Sequence, residues 1–280
     1  MHPPQKSMQT LTEDFSREVL AFLPPDYPWA DRFIWLAETD STNSVLKRLA
    51  PTGIPAGTAV CAGHQTGGRG RMGRSFLSPP DMGIYLSMLL RPKCSAGDLM
   101  HLTCAAAVSV CDAVEKTAGF RPGIKWTNDL VYGKRKLCGI LTELGLQPDG
   151  SVDYAIVGVG INCRQKLTDF PPELRDKAGS LEMVTGKEVS RPRLAAEMLT
   201  ALYRMQDGLL GDKEAILEQY RADCVTLGKE VSLVRGSDLR YGKALDVSDT
   251  GALIVEFSPG QVEAVDSGEV SVRGMYGYIG

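Results

Sequence analysis

Residues 58–90 read TAVCAGHQTGGRGRMGRSFLSPPDMGIYLSMLL. Thr58–Ala62 and Gly83–Leu90 have the apolar run length of buried strands, and between them lies a loop dominated by glycine and arginine. The order strand, glycine-rich loop, strand decides the reading. A dinucleotide fingerprint needs GxGxxG to open a helix after its strand, and a P-loop needs GxxxxGK[ST]. Gly67-Gly68-Arg69-Gly70-Arg71-Met72-Gly73-Arg74 does neither. Its glycines let backbone N–H groups approach an anion closely, and its arginines add forked donors. Read alone, the motif fits a flexible basic surface loop or an RGG-like RNA-binding patch equally well.

Upstream of this segment, Thr10-x-x-Glu13 has the form of a capping box for a helix that stops at Pro24-Pro25. Arg32–Glu38 reads as a strand. Thr39-Asp40-Ser41-Thr42 then supplies N-caps for a helix to about Ala50, with Val45, Leu46 and Leu49 on one face. Downstream, Asp98 is placed to cap a long amphipathic helix to about Thr117, ended by Gly119. Ile124–Trp126, Lys136–Leu144 and Val152–Ile161 follow as strands, and Arg193–Leu210 and Lys213–Arg221 as helices. Strands and helices joined by hairpin-length connections predict an α/β sandwich with one covered sheet rather than strict βαβ winding. From Gly228 the texture changes. Lys229–Val234, Arg240–Val247, Ala252–Phe257 and Glu269–Val272 are short strands separated by turn signals, which predicts a small β-barrel. The boundary falls near Cys224–Gly228.

A chain of 280 residues, 43% hydrophobic and 23% charged, is ordinary for a globular protein with one large and one small domain. The net charge of -3 gives no general attraction for polyanions. The stretch from His64 to Phe76, with Arg69, Arg71 and Arg74 and no acid, suits a small anionic ligand better than a nucleic-acid backbone. The apolar stretch Leu99–Val114 is interrupted by His101, Thr103, Ser109 and Asp112, and Met1–Thr10 lacks the apolar core of a signal peptide. The expectation is a cytoplasmic protein with no membrane partner. Seven scattered cysteines without a CxxC pair read as free thiols, and three histidines without ligand spacing argue against a zinc site.

Three further motifs stand out. Lys125-Trp126-Thr127-Asn128-Asp129 is followed by Lys136–Leu141, in which Gly139 permits close backbone approach to a ligand. Asp40–Asn43 opens a helix, whose N-terminus offers donors. Gly158-Val159-Gly160-Ile161-Asn162 is a glycine-bearing strand end with a polar tip. Taken singly, these are a solvated strand end and turn, an N-cap, and a packed strand.

Taken in order, Ser-Thr-Asn at 41–43, Gln65 with GRGRxGR at 68–74, KWxND at 125–129, RKLxGIL at 135–141 and GxGIN at 158–162 resemble the biotin–protein ligase family. The resemblance is dense over Glu38–Asn162 and continues to Ser267–Arg273, which looks like the closing strand of the family's small domain. It implies an α/β (α+β) fold: a mixed-sheet catalytic domain of the biotin/lipoate ligase type with a small C-terminal SH3-like β-barrel. The divisions would be an N-terminal helical extension at 1–30, a catalytic domain at 31–226 and the barrel at 227–280.

The implied activity is ATP-dependent formation of biotinyl-5'-AMP and transfer of biotin to a lysine. ATP and Mg²⁺ are required and biotin is the substrate; no side chain is assigned as a metal ligand. Ser41, Thr42, Asn43 and Gln65 would hold the ureido ring, whose donors and acceptors suit hydroxyls and amides. Arg69, Gly70 and Arg71, with Gly139, would contact biotin or its adenylate, and Lys136 would stand beside the reacting carboxylate and α-phosphate. Gly68, Arg71, Arg74, Lys125, Asn128 and Asn162 would line the nucleotide side. Lys136, Arg71 and Asp129 form the implied catalytic set, Asp129 being the candidate to take the acceptor lysine's proton. The partner would be a biotin carboxyl carrier protein domain of acetyl-CoA carboxylase or a similar biotin-dependent carboxylase, and a homodimer is compatible with the sequence.

Three positions depart from the family's usual form: Met72 where some members have arginine, Phe76 for a frequent tryptophan, and Thr127 for the common proline of KWPND. The first forty residues hold one short helix, too little for a DNA-binding domain, so neither DNA binding nor repressor function is expected. A lipoate or octanoate ligase or transferase of the same fold is the alternative enzyme. A nucleic-acid-binding module and a biotin-binding protein without catalysis are the readings from other classes.

Overall fold

The structure is a computed structural model and describes residues 8–235, 237–266 and 271–274. After helix α1 (Met8–Phe22), the chain lays down β1 (Phe33–Thr39), crosses back through α2 (Thr42–Leu49), and enters β2 (Ala59–Gln65) and β3 (Gly83–Leu90). Helix α3 (Leu102–Ala118) leads to β4 (Gly123–Lys125), β5 (Asp129–Tyr132), β6 (Arg135–Leu146) and β7 (Val152–Asn162). Helices α4 (Leu181–Thr185), α5 (Arg191–Gly208) and α6 (Lys213–Asp223) complete the large unit. The strands form one seven-stranded sheet in the order β1-β2-β3-β7-β6-β5-β4. Only β1 and β2 run parallel, because α2 is the one helical crossover between neighbours. The expected mixed sheet in place of βαβ winding is what the chain forms.

Side-chain alternation splits this sheet into two faces. Ile84, Leu86, Met88 and Leu90 on β3, with Ala155, Val157, Val159 and Ile161 on β7, pack into one core with α3 and α5. Residues of the other parity line up across neighbouring strands. Ser87 lies beside Gly158, and Gly158 beside Leu141; one step along, Tyr85 lies beside Gly160, Gly160 beside Gly139, and Gly139 beside Asp129. Helix α2 and the turn that follows it cover one end of that second face by burying Leu46 and Ala50 against Val60, Leu89 and Ile156. The small residues leave the rest of it concave.

Gly97–Ala118 is long and apolar enough to cross a membrane by composition, but it is the core helix between the sheet, α5 and α6. Its cap differs from the expectation. Asp98 lies in a preceding 3-10 turn and accepts from the N–H and hydroxyl of Ser95, while α3 itself begins at Leu102. The end is as expected, at Gly119 with φ 75°. Helix α1 already runs from Met8, so Thr10 lies inside it and is not its cap.

The small unit is a five-stranded antiparallel sheet of β8 (Glu230–Arg235), β9 (Asp238–Val247), β10 (Leu253–Ser258), β11 (Gln261–Val265) and β12 (Ser271–Gly274) in the order β11-β10-β9-β8-β12. Two strands escaped the sequence reading, β5 and β11. The closing strand, expected over 269–272, is described at 271–274, and residues 269 and 270 lie outside the described residues. The two units meet at Trp126, whose backbone N–H donates to the Thr226 hydroxyl at 2.9 Å and whose indole N–H donates to the Gly251 carbonyl at 3.0 Å. All seven cysteines are free, six of them buried, and burial pushes the thiols of Cys61, Cys104 and Cys163 up to about 12. They pack as small apolar side chains, as the sequence predicts.

Candidate active site

The concave face of the large sheet is roofed by the glycine–arginine loop, enclosing a cavity of about 260 Å³. The loop is a compact turn: Gly70 N–H donates to the Arg74 carbonyl at 2.7 Å, and Phe76 N–H donates to the Gly68 carbonyl at 2.9 Å. Met72, at φ 55°, adopts a left-handed conformation that costs a non-glycine residue about 1–2 kcal/mol. Two arginines tie the loop down. Arg69 pairs with Glu143 on β6 at 3.2 Å, and Arg71 donates to the Asn128 side-chain carbonyl at 3.0 Å. Asn128 in turn donates to the Ile140 carbonyl at 2.8 Å, fixing the β4–β5 turn against β6.

At one end of the cavity the lining is neutral. Ser41, Thr42 and Asn43 are buried where α2 begins. Ser41 occupies the N-cap position and borders the cavity, and its side chain makes no capping bond. Gln65 accepts from the Thr42 backbone N–H at 2.9 Å and donates to the Ser78 hydroxyl at 3.0 Å. The Thr42 hydroxyl meets that of Ser87 at 2.7 Å, and Ser87 donates to Asn43 Oδ1 at 2.6 Å. Glycine is required beneath this network, because a Cβ on Gly158 would lie 1.9 Å from Asn43 Oδ1.

One row further along the strands the lining becomes aromatic and then cationic. The Phe76 ring rests on Gly160, where a Cβ would come within 2.6 Å of it. Lys136 Nζ lies 2.6 Å from Asp129 Oδ1 and 6.0 Å from the Phe76 ring centre. Gly139 clears the space that the Lys136 chain crosses. Arg71, Arg74, Lys125 and Lys177 join Lys136 in the lining, against Asp129 as the single acid among the described lining residues. Burial, with Arg74 adding to it and Asp129 opposing, pushes the Arg71 guanidinium below its ordinary value. Such a cation is stabilised when an anion arrives.

Of the sequence-derived residues, Ser41, Thr42, Asn43, Gln65, Arg69, Gly70, Arg71, Arg74, Lys125, Asn128, Asp129, Lys136, Gly139 and Asn162 all border this one cavity. Gly68 does not; it is a packing glycine, where a Cβ would lie 2.3 Å from the Phe76 carbonyl. Asn162 spends its amide on protein partners, donating to the Gly179 carbonyl at 2.9 Å and accepting from Gln165 at 3.2 Å. It thereby anchors segment 170–178, whose Phe170, Leu174, Lys177 and Ala178 form a wall that the sequence reading missed. Ser87 and Glu143 were missed as well. The signal for Ser87 was a lone hydroxyl in an otherwise apolar strand.

A neutral hydrogen-bonding end, an aromatic floor over paired glycines and a cationic end under an arginine-bearing roof define a protein that binds a small acid together with a phosphate-bearing partner. Residues 35–162 match the biotin/lipoate A/B protein ligase family, and residues 226–273 match the biotin protein ligase C-terminal domain. The chain belongs to that ligase family. It is 32% identical over 245 residues to a biotin–[acetyl-CoA-carboxylase] ligase of Mycobacterium tuberculosis, covering 84% of this chain and 86% of that one. It is 35% identical over 221 residues to the bifunctional ligase/repressor BirA of Bacillus subtilis, covering 79% and 68%. Among solved structures it is similar to the Aquifex aeolicus biotin protein ligase in complex with biotin and ATP, with a TM-score of 0.74, 33% identity, and coverage of 86% of this chain and 98% of that one.

Proposed function

We propose that this protein is a biotin–protein ligase that adenylates biotin with ATP and passes the biotinyl group to a lysine of a biotin carboxyl carrier domain. The observation that carries this reading is the polarity of the cavity. Its neutral end offers the Ser41 hydroxyl and the Thr42, Asn43 and Gln65 groups, the mixed donors and acceptors a ureido ring needs, while Lys136 and the arginines gather at the other. The solved relative that binds biotin and ATP supports the same assignment.

In the first step a biotin carboxylate oxygen attacks the α-phosphorus, and pyrophosphate leaves with the electrons of the broken P–O bond. Carboxylate and phosphate repel, so fixed cations matter most where charge develops. Lys136 is a compact charge oriented by Asp129, and Arg71 and Arg74 are forked clamps from the roof. Lys125 and Asn128 face the nucleotide side. Mg²⁺ would be held mainly by the phosphate oxygens of ATP, and Asp129, the one carboxylate among the described lining residues, would be the side chain to join them. When bound, the ion neutralises phosphate charge.

In the second step the neutral amine of the acceptor lysine attacks the acyl carbon, AMP departs and the amine loses a proton. Asp129 is the lining group available to take it. The roof keeps water from the mixed anhydride meanwhile. The cytosol, with its ATP and reducing conditions, suits this chemistry and seven free thiols.

The test is pyrophosphate release from Mg²⁺-ATP on adding biotin, lipoate or octanoate, with mass analysis of an added biotin-acceptor domain. Release with biotin alone and a biotin-sized mass gain are expected. Release with lipoate or octanoate in place of biotin would reassign the substrate to the alternative ligase, and no release with any acid would remove the enzyme reading.

A further inference from the structure

One acid beside the cavity does not line it. Glu143 stands two residues beyond Leu141 on β6, its side chain 16% exposed, and three groups converge on its carboxylate. Asn43 Nδ2 donates to it at 2.9 Å, the Arg69 guanidinium at 3.2 Å, and the Lys47 ammonium lies at 3.5 Å.

Asn43 has one workable amide orientation. Its Nδ2 group faces two acceptors, the Leu141 carbonyl at 3.2 Å and Glu143. A flipped amide would set oxygen against a carbonyl and a carboxylate, leaving buried acceptors without a proton between them. Oδ1 therefore faces Ser87, which is fully buried and donates its only proton at 2.6 Å. The Ser87 oxygen, its own proton committed, can meet the Thr42 hydroxyl at 2.7 Å only as an acceptor. Gln65 Oε1 lies 3.2 Å from the Thr42 hydroxyl as well, but the single Thr42 proton goes to the nearer Ser87 oxygen, and Gln65 Oε1 is served by the Thr42 backbone N–H at 2.9 Å. Thr42 borders the cavity, and its oxygen is left with lone pairs alone to offer a ligand there. Every donor in this chain points toward Glu143, and each bond polarises the next.

We propose that Glu143 sets the hydrogen-bond polarity of the neutral end, so that Thr42 meets a ligand N–H as an acceptor. The inference rests on the biotin reading, since a cyclic urea supplies that N–H, whereas a dithiolane or alkyl acid would strand the acceptor. Glu143 is a positioning residue. It acts through Asn43 and Ser87 and touches no substrate.

The experiment is calorimetric titration of biotin into the full chain and its Glu143→Gln, Glu143→Leu, Thr42→Val and Glu143→Leu/Thr42→Val variants, with KM for biotin and for ATP measured alongside. Glu143→Leu should weaken biotin about tenfold, the loss of roughly one charge-assisted hydrogen bond, and should move KM for biotin far more than KM for ATP or kcat. Glu143→Gln keeps an acceptor for Asn43 and should stay within about threefold of wild type. In the Thr42→Val background Glu143→Leu should add little, because the relay's last acceptor is already gone.

Unchanged biotin binding in Glu143→Leu overturns the inference. So does a loss that persists in full on the Thr42→Val background, which would assign Glu143 to tethering Arg69. Equal rises in both KM values without rescue by glutamine would also overturn it. A wild-type chain that gives no heat with biotin sinks the biotin reading and this inference together. Biotin binding that ignores Glu143 sinks the inference alone.

Discussion

Gly158 is where a single atom decides between a packed strand and a binding surface. Its missing Cβ is the space that the Asn43 carbonyl oxygen occupies, and Asn43 is held there by Ser87, Leu141 and Glu143. Gly158→Ala should therefore expel the Asn43 amide from its network, at an overpacking cost of about 1–3 kcal/mol. Biotin titration should show at least about tenfold weaker binding by this variant with ATP-side kinetics less affected, and a wild-type affinity would contradict the account. The same scale shows what single-residue reading could see. Ser41, Thr42 and Asn43 were visible as a polar cluster opening a helix, and capping was the ordinary explanation. The structure removes it, because Ser41 makes no cap bond. The lone hydroxyl of Ser87 was too weak a signal, because a single serine in Gly83–Leu90 is compatible with any strand. Its importance comes from lying beside Gly158, a neighbour 71 positions away in the chain.

Among elements, the roof loop and the segments it touches form the working unit. Arg69 binds β6 and Arg71 binds the β4–β5 turn, so the loop spans the cavity between two fixed points. Arg71→Gly removes one of them together with a cation from the nucleotide side. Activated biotin should then escape, and mass spectrometry of a protein mixture incubated with the variant, biotin and Mg²⁺-ATP should find biotin on lysines outside the acceptor. Labelling confined to the acceptor would mean that Arg71 does not retain the intermediate. Periodicity placed most of the elements: β3 has its expected bounds, and β1, β2, β6, β7, α5 and α6 shift only at their ends. It missed β5, whose four residues begin within an Asn-Asp pair that looks like a turn. That strand exists because β6 pairs with it, setting Gly139 beside Asp129, and this pairing brings the acid to Lys136. A strand held by its neighbour carries little signal of its own.

For the molecule as a whole, the large unit, the core helix and the small sheet close around His101. Its Nε2 bonds the Leu209 carbonyl at 2.7 Å, Nδ1 has no partner among the described residues, and the side chain is 1% exposed. Gly251 of the small unit lies against its backbone. Burial lowers the His101 pKa from 6.5; the Leu209 bond opposes this, and Lys213 adds to it. The unfolded chain therefore takes up a proton below about pH 6.5 that the folded protein refuses, and stability falls with pH by up to about 1.4 kcal/mol per unit until the folded pKa is reached. The lowered carboxyls of Asp98, Asp149 and Glu263 act in the same direction, but only below about pH 4. Thermal melts at pH 7 and pH 5 should show a smaller drop in Tm for His101→Gln than for wild type. An equal drop would mean that His101 does not govern acid stability.

The sequence by itself determined the mixed α/β class, the change to short strands after Gly228, the free cysteines and, through motifs in a fixed order, most of the polar and charged residues that border the cavity. These are properties of local pattern and of residue type, which a linear reading carries. Tertiary structure alone decided that Gly68 packs while Gly158 and Gly160 make room, that Asn162 braces a wall, and that Thr42 is turned into an acceptor. Each depends on a partner far along the chain: 44 residues separate Ser87 from Asn43, and 100 separate Glu143 from Asn43. A hydroxyl or an amide can donate or accept, and only the neighbours that folding brings within 3 Å settle which it does.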